Sequence, residues 1–91
     1  MANNYVVYML QCGDGSLYTG ITNDLNKRLL AHSVGKGAKY TRGRGPFKVV
    51  FTQAFSSKSE ALKAEHRIKS LDRSGKLQLI QKGEVYEKGS Q

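Results

Sequence analysis

The sequence contains a single cysteine, Cys12, and no tryptophan. One cysteine cannot form an internal disulfide, and with only two histidines beside it there is no zinc-binding set. No apolar run approaches the length that spans a bilayer, and the N-terminal residues lack a signal-peptide pattern. These absences predict a cytoplasmic protein in a reducing compartment, with no membrane partner. Ninety-one residues of 38% hydrophobic content predict one globular domain with a modest core.

Acidic residues are also scarce. The chain has seven Asp and Glu against fifteen Lys and Arg, which gives a formal net charge of +8. Such a field attracts polyanions and accelerates encounter with them, so nucleic acid is the partner class that the charge favours. An anionic membrane fits less well, because no long basic amphipathic helix with bulky apolar anchors is present. A basic surface with no partner remains the alternative.

Residues 5–22 predict a β-hairpin. β-Branched, aromatic and apolar side chains dominate residues 5–12 and again residues 16–22, and Gly13-Asp14-Gly15 between them is a clear turn signal. If the turn has three residues, Tyr8 lies opposite Gly20 and Tyr18 is a diagonal neighbour of Tyr8 on the same face.

That register decides what the two tyrosines can do. A two-residue turn would send one of them to the other face of the hairpin. Tyrosine in a strand most often serves packing. A glycine opposite Tyr8 also leaves space in which a substrate phosphate could approach.

The rest of the chain predicts helices around a third strand. A first helix is expected to begin near Thr22-Asn23-Asp24 and to continue through 26–33, followed by a glycine-rich loop at 35–45 and a strand at 47–55. A long helix is then expected, capped by a serine at 56, 57 or 59 and running to about residue 71. A short helix at 76–81 follows it. The domain is expected to cover residues 1–83, followed by a loose tail at 84–91.

The first helix carries an arginine and a histidine on one edge. Leu25, Leu29 and His32 follow one another at i, i+4 and i+7, so His32 lies on the stripe that should face the core. Arg28 lies one turn before His32, on the flank of that stripe. A lone histidine on an apolar face is usually a satisfied core residue. Its pairing with an arginine just after a tyrosine hairpin also suits a catalytic site.

Glu65 falls among the apolar positions of the long helix. At 100° per residue it lies between Ala61 and Ile68. A carboxylate among core positions is costly unless it is paired or binds a cation. Two interpretations stay open, an ion pair with Arg28 or a lysine and a metal-binding carboxylate. Asp72 shares the angle but stands at the helix end, where a capping or solvated role is expected. The full apolar face is expected to comprise Ala61, Leu62, Ala64, Ile68 and Leu71.

The glycine-rich loop is also strongly basic. Glycine amides and basic side chains can approach a phosphate backbone closely, and Tyr40 can stack on a base. A solvated charged loop is the alternative. The candidates for nucleic-acid binding are Lys36, Lys39, Tyr40, Arg42 and Arg44 in this loop, and Lys76 near the C-terminus.

The motifs, in their order and spacing, resemble the GIY-YIG nuclease superfamily over about residues 4–82. Val6-Val7-Tyr8 resembles the GIY motif, and Tyr18-Thr19-Gly20 resembles the YIG motif. The first helix of the superfamily resembles residues 21–25 together with Arg28 and His32. The segment AEHRIKSL, which contains Glu65, resembles the later helix of the superfamily that carries a glutamate, and Arg73 and Lys76 follow it. The resemblance is closest to the small stand-alone bacterial members.

The resemblance implies an α+β fold, a three-stranded antiparallel β-sheet flanked by helices in the order β-β-α-β-α-α, with the active site on one sheet face. It implies that Tyr8 or Tyr18 acts as general base or orients the attacking water, and that Arg28 stabilises charge in the transition state. His32 would assist proton transfer or phosphate contact. Glu65 would be the sole protein ligand of one Mg²⁺ or Mn²⁺ ion.

Two departures from the family pattern concern activity and targeting. Many catalytic members carry an asparagine about a dozen residues after the metal glutamate, whereas residues 73–77 contain none and Lys76 would replace it as a phosphate contact. The better-known enzymes also carry a separate DNA-targeting domain that this chain lacks. Any sequence preference would then come from the domain itself or from a protein partner.

Two functions are therefore expected from the sequence. The first is a metal-dependent endonuclease that hydrolyses the phosphodiester bonds of branched, damaged or single-stranded DNA, with DNA favoured over RNA. The alternative is a nucleic-acid-binding module of the same fold that cuts weakly or not at all. A structural or protein-interaction role would leave the Tyr, Arg and Glu set unexplained.

Overall fold

A computed structural model describes residues 4–37 and 41–89, with the side chains of the last helix described through residue 82. A three-stranded antiparallel sheet is combined with three helices, which confirms the expected fold class. Within the described ranges, no helix combines the length and apolarity needed to cross a membrane. The elements are β1 (Tyr5–Gln11), β2 (Leu17–Thr22), α1 (Leu25–Ser33), β3 (Lys48–Phe55), α2 (Lys58–Lys69) and α3 (Arg73–Gly89).

The turn between β1 and β2 has three residues. The Gly15 amide donates to the Cys12 carbonyl at 2.9 Å, and the Cys12 amide donates to the Ser16 carbonyl at 2.8 Å. Gly15 has a φ of 86°, a left-handed conformation that glycine adopts without steric cost. This turn fixes the register in which Tyr8 pairs with Gly20, and the predicted register is confirmed.

The core lies between one face of the sheet and the helices α2 and α3. β1 is the central strand, and α2 packs on β1 and β2 while α3 packs on β3. Leu62, expected on the apolar face of α2, is instead 44% exposed because it lies about 100° around the helix from Ala61. The buried cluster consists of Val7, Met9, Phe51, Ala61, Ala64 and Ile68.

Each helix begins at a polar side chain that accepts a backbone hydrogen bond. Asp24 accepts from the Lys27 amide at 3.1 Å at the start of α1, and Ser57 accepts from the Glu60 amide at the start of α2. Asp72 accepts from the Gly75 amide at 2.8 Å, which satisfies a free donor of the first turn of α3. Asp72, expected to be a cap or solvated at the end of the preceding helix, is exposed and caps the start of α3.

The last helix is longer than expected. It begins at Arg73, directly after the Asp72 cap, and continues to Gly89 instead of spanning 76–81. Residues 84–89, expected as a loose tail, continue this helix because no proline interrupts it and most of its residues are good helix formers. Residues 90 and 91 lie outside the described residues. The domain boundary at residue 83 stays a prediction.

The hairpin turn connects two other parts of the molecule. The Gly13 amide donates to the Arg44 carbonyl at 2.6 Å, and the Arg44 guanidinium contacts the Asp14 carboxylate at 2.6 Å. From the opposite direction, Arg73 at the start of α3 donates to the Gly15 carbonyl at 3.1 Å. The turn therefore fixes the loop before β3 and the first turn of α3 relative to the sheet.

The cap of α2 offers a stability test. We expect Ser57→Ala to lower the free energy of unfolding by about 1 kcal/mol, because the Glu60 amide loses its acceptor. Ser56→Ala is the matched control, since its neighbour holds the capping position, and we expect it to change stability by less than about 0.5 kcal/mol. Urea unfolding followed by circular dichroism measures both. Equal losses in the two variants would contradict the assignment of Ser57 as the cap.

Candidate active site

A chain of hydrogen bonds runs through the interior from β1 to the loop before β3. The Tyr8 hydroxyl lies 2.9 Å from Nε2 of His32, and Nδ1 of His32 lies 2.8 Å from the Thr41 hydroxyl. All three side chains are at most 1% exposed. These hydrogen bonds connect the central strand, α1 and the loop, and they give both ring nitrogens of His32 a partner.

The hairpin register and α1 together place Tyr18 and His32 against Tyr8. The ring of Tyr18 lies with its centroid 6.3 Å from that of Tyr8 and 5.4 Å from that of His32. The centroid of the Phe47 ring lies 5.9 Å from that of His32. The predicted approach of the two tyrosines on one face is confirmed.

Two glycines allow this packing. A Cβ at Gly20 would lie 2.7 Å from the Tyr8 hydroxyl and 3.0 Å from the Tyr18 ring. The space opposite Tyr8 was expected to admit a substrate, but the tyrosine side chains themselves occupy it. A Cβ at Gly37 would collide with the imidazole of His32, so the loop backbone passes directly over that ring.

Arg28 lies beside the two tyrosines. It is half-buried, and its interaction with the Tyr8 hydroxyl is the main cause that raises the pKa of its guanidinium. Its Nε is buried with no hydrogen-bond partner among the described residues. The arginine therefore has a buried donor without a partner beside Tyr8.

Burial sets the protonation states of this cluster. Burial raises the pKa of Tyr8, and the hydrogen bond from Arg28 acts in the opposite direction. Burial and then the charge of Arg28 lower the pKa of His32 below its usual 6.5. At neutral pH the site therefore contains a protonated tyrosine and a neutral imidazole, whose unprotonated nitrogen accepts a hydrogen bond.

Glu65 lies at the edge of the buried face of α2. Its side chain is 18% exposed, and Oε2 lies 3.1 Å from Nζ of Lys69 one turn later. Its charge also contributes to the raised pKa of Tyr8, so the carboxylate lies within electrostatic range of the cluster. Of the two interpretations open from the sequence, the ion pair with a lysine is present in the structure.

The donor set fits a magnesium-type ion shared with a substrate. No three His, Cys, Asp or Glu side chains gather in the part of the chain that the structure describes. One carboxylate, completed by phosphate oxygens and water, matches the preference of Mg²⁺ for few protein ligands. Glu65 is the residue that would hold the ion.

The predicted nucleic-acid contacts have unequal surroundings. Lys36 and Arg42 are exposed, whereas Arg44 pairs with Asp14. Bonds from Ser16 and then Arg44 lower the pKa of Asp14 to about 2, so this pair keeps its charges over the physiological range. Lys39 and Tyr40 lie outside the described residues.

Lys76 belongs to a different place from these loop residues. It lines a cleft of about 390 Å³ with Lys69 and three residues of β2, Leu17, Tyr18 and Thr19. The cleft places Lys76 near Tyr18, and its role as a phosphate contact stays a prediction.

Sequence reasoning missed four residues of this region. Thr41 and Gly37 lie in the glycine-rich loop, which has no periodicity from which a buried position can be inferred. Phe47 was assigned to the strand without a role. Lys69 was detectable, because Glu65 and Lys69 have the i,i+4 spacing typical of helical ion pairs.

The sequence profile of the GIY-YIG catalytic domain matches residues 4–78, which contain every residue of the cluster described above. The chain belongs to the GIY-YIG family. This is a nuclease-type family, and its YIG motif corresponds to Tyr18-Thr19-Gly20 at the point where the two tyrosines meet.

Relatives of this GIY-YIG protein share most of its length. The UPF0213 protein OB0043 of Oceanobacillus iheyensis is 57% identical over 89% of this chain and 94% of its own. The solution NMR structure of the UPF0213 protein BH0048 from Bacillus halodurans is 55% identical, with a TM-score of 0.60 over 92% of this chain and 90% of that one. The solution NMR structure of EF2693 from E. faecalis is 39% identical, with a TM-score of 0.65 over 93% of each chain.

The hydrogen bond between His32 and Thr41 is testable through stability. We expect Thr41→Val to lower the free energy of unfolding by about 1–3 kcal/mol, because the buried Nδ1 loses its partner while the volume is unchanged. Thr19→Val is the matched control, since the buried Thr19 hydroxyl has no hydrogen-bond partner in the described residues and its loss should be neutral or stabilising. Urea denaturation compares the two, and a loss as large in Thr19→Val would contradict the assignment.

The lowered pKa of His32 predicts a pH dependence of stability. The unfolded chain binds a proton at His32 near pH 6.5, while the folded protein binds it only at lower pH. Stability should therefore level off above about pH 7.5, where His32 is neutral in both states, and fall as the pH decreases through 6.5 towards the folded pKa. Urea midpoints measured from about pH 7.5 to about pH 5.5 check this. The exposed His66 is the control, and His66→Gln should keep the decline; its disappearance would assign the effect to His66.

Proposed function

We propose that this protein is a metal-dependent endonuclease that hydrolyses phosphodiester bonds in DNA. The observation that carries the proposal is the convergence of Tyr8, Tyr18, Arg28 and His32 in one cluster, with Glu65 in electrostatic range. A cluster that served only packing would not need a half-buried arginine with an unpaired Nε.

The proton relay begins at the Tyr8 hydroxyl. In the tautomer that carries its proton on Nδ1, His32 donates to Thr41 and accepts from Tyr8 through Nε2. Tyr8 is fully buried, so substrate binding must open the cluster before the attacking water can pass its proton to the Tyr8 oxygen and the Tyr8 proton can pass to His32. The low pKa of His32 keeps it neutral and ready to accept that proton. Tyr18, in contact with both rings, orients the attacking water.

Charge on the reacting phosphate is stabilised from two sides. Arg28 is fully charged and half-buried beside Tyr8, and its guanidinium would donate to a non-bridging phosphate oxygen. GIY-YIG nucleases generally depend on a divalent metal, and Glu65 would hold such an ion, Mg²⁺ or Mn²⁺, which would supply Lewis-acid stabilisation of the negative charge on the phosphate. Arg28 and Glu65 come from different helices, so the phosphate would be bound between α1 and α2.

The substrate is proposed from charge and shape. A net charge of +8 and the exposed Lys36 and Arg42 favour binding to a phosphate backbone. We propose DNA over RNA, in branched, damaged or single-stranded form, with any sequence preference supplied by the domain or by a protein partner. A cytoplasmic location, expected from the single cysteine, belongs to the same proposal.

One observation favours the alternative of a nucleic-acid-binding module. Lys69 already neutralises Glu65, so a cation must displace it before the carboxylate can act as a ligand. A domain in which this exchange did not occur would bind nucleic acid without cutting it. Cleavage and binding must therefore be measured together.

The test is a cleavage assay with Mg²⁺ or Mn²⁺ on labelled single-stranded, duplex and flapped DNA and the matching RNA. We expect Glu65→Gln to lower the cleavage rate by about 100-fold or more, because the amide keeps the shape but loses the charge that holds the ion. Glu60→Gln, an exposed position on the same helix, is the matched control and should retain full activity.

Three results distinguish the functions. Metal-dependent cutting that Glu65→Gln abolishes and Glu60→Gln retains supports the nuclease. Salt-sensitive binding without cutting by any variant supports the binding module. Equal cutting by wild type and Glu65→Gln would overturn the role assigned to this carboxylate.

A further inference from the structure

We infer that Lys69 and Lys76 form a phosphate-binding subsite beside Tyr18, and that Glu65 masks Lys69 until a divalent cation takes over the carboxylate. The inference rests on the proposed metal-binding role of Glu65. It adds a second phosphate contact and a coupling between cation and nucleic acid that the candidate catalytic set does not include.

The subsite is the cleft of about 390 Å³ at the edge of the sheet. β2 is an edge strand, so its outer side is not covered by another strand. Lys69 ends α2 and Lys76 lies in the first turns of α3, and the two lysines enter the cleft from different helices. Beside the lysines the lining consists of Leu17, Tyr18 and Thr19, without an acidic side chain.

Two ammonium groups in one cleft favour the binding of an anion. Lys69 is partly neutralised by Glu65, but no ion pair of the described residues involves Lys76. Lysine binds phosphate as a mobile point charge, and two lysines can share one phosphate without fixed geometry. Because Tyr18 belongs both to this cleft and to the candidate active site, the bound phosphate would be a neighbour of the reacting one.

Both partners of the ion pair between Glu65 and Lys69 can be replaced by other ions. The Glu65 side chain is only 18% exposed and is fixed among core residues, whereas Lys69 is 52% exposed on a flexible stem. Because half of the Lys69 side chain is exposed, water and salt screen the pair and keep it weak, so a divalent cation or a phosphate competes with it readily. When a cation occupies Glu65, the Lys69 ammonium is released and turns to the phosphate.

This exchange couples two binding events. Cation binding unmasks a phosphate contact, and phosphate binding to Lys69 frees the carboxylate for the cation. Each ligand should therefore strengthen the binding of the other. Without a cation, Lys69 contributes little to nucleic-acid affinity, although it lies in the cleft.

The test is a double-mutant cycle in the absence of metal. Fluorescence anisotropy measures the affinity of a labelled single-stranded oligodeoxynucleotide in EDTA, where cation-dependent cutting is excluded. The variants are wild type, Lys69→Gln, Glu65→Gln and the double variant. The control is Lys63→Gln, an exposed lysine of the same helix, alone and combined with Glu65→Gln.

If Glu65 masks Lys69, the effects of the two substitutions on DNA affinity should not be additive. Lys69→Gln alone should weaken binding no more than Lys63→Gln does. Glu65→Gln should strengthen binding about two- to fivefold by releasing Lys69, and adding Lys69→Gln should remove this gain while adding Lys63→Gln should keep it. Lys76→Gln should weaken binding. It should also lower the slope of the logarithm of the affinity against the logarithm of the salt concentration by about 1, the value expected for the loss of one phosphate contact.

A second measurement concerns the cation alone. Mn²⁺ titrated into the protein without DNA should bind Lys69→Gln about two- to fivefold more tightly than wild type, because the competing ammonium is gone. Lys63→Gln should bind Mn²⁺ like wild type. Equal Mn²⁺ affinity in all three proteins, or equal costs of Lys69→Gln and Lys63→Gln in both backgrounds, would overturn the inference.

The outcomes separate this inference from the proposed nuclease. If wild type cuts DNA and the cycle is additive, the subsite is wrong and the nuclease stands. If no variant cuts but the cycle is non-additive and Lys69→Gln binds Mn²⁺ more tightly, the subsite is supported and the protein is a nucleic-acid-binding module instead of a nuclease.

Discussion

The buried hydrogen-bond chain from Tyr8 through His32 to Thr41 is the interaction on which the candidate site depends. A neutral imidazole in the interior must give both nitrogens a partner, and here the two partners come from the central strand and from a loop. Satisfying this one side chain therefore sets the position of α1 against the sheet. Arg28 lies on the same helix one turn earlier, so its position beside the tyrosines follows from the same constraint.

The site has two halves with different physical character. Around His32, aromatic rings and close glycine backbone exclude water and keep the groups neutral, apart from the Arg28 charge. Around Glu65, the groups are charged, more exposed and held by a weak ion pair. The first half is rigid and suited to positioning a proton path, and the second is exchangeable and suited to binding ions. β2 joins them, because Tyr18 faces the first and lines the cleft of the second.

What the sequence predicts follows from periodicity. Strand residues alternate with a period of two, so one correct turn length placed Tyr8 opposite Gly20. Helical angle placed His32 and Glu65 on buried faces. Thr41 and Gly37 were missed because a glycine-rich loop has no period, and only the fold shows that its backbone covers an imidazole. The end of α3 was misplaced because residues 84–89 are mostly polar, and polarity alone does not distinguish an exposed helix from a loose tail.

The hairpin turn has a consequence for how this chain can vary. Hairpin tips are usually among the positions that best tolerate insertions, since little else depends on them. Here the Gly13 amide and the Gly15 carbonyl each serve a distant segment, and a side chain at Gly13 would meet the carbonyl of Gly45. The turn behaves as a junction, so an added residue would shift the register of both tyrosines and two other segments together. The length of this turn is consequently constrained by the two distant segments that it contacts as well as by the hairpin itself.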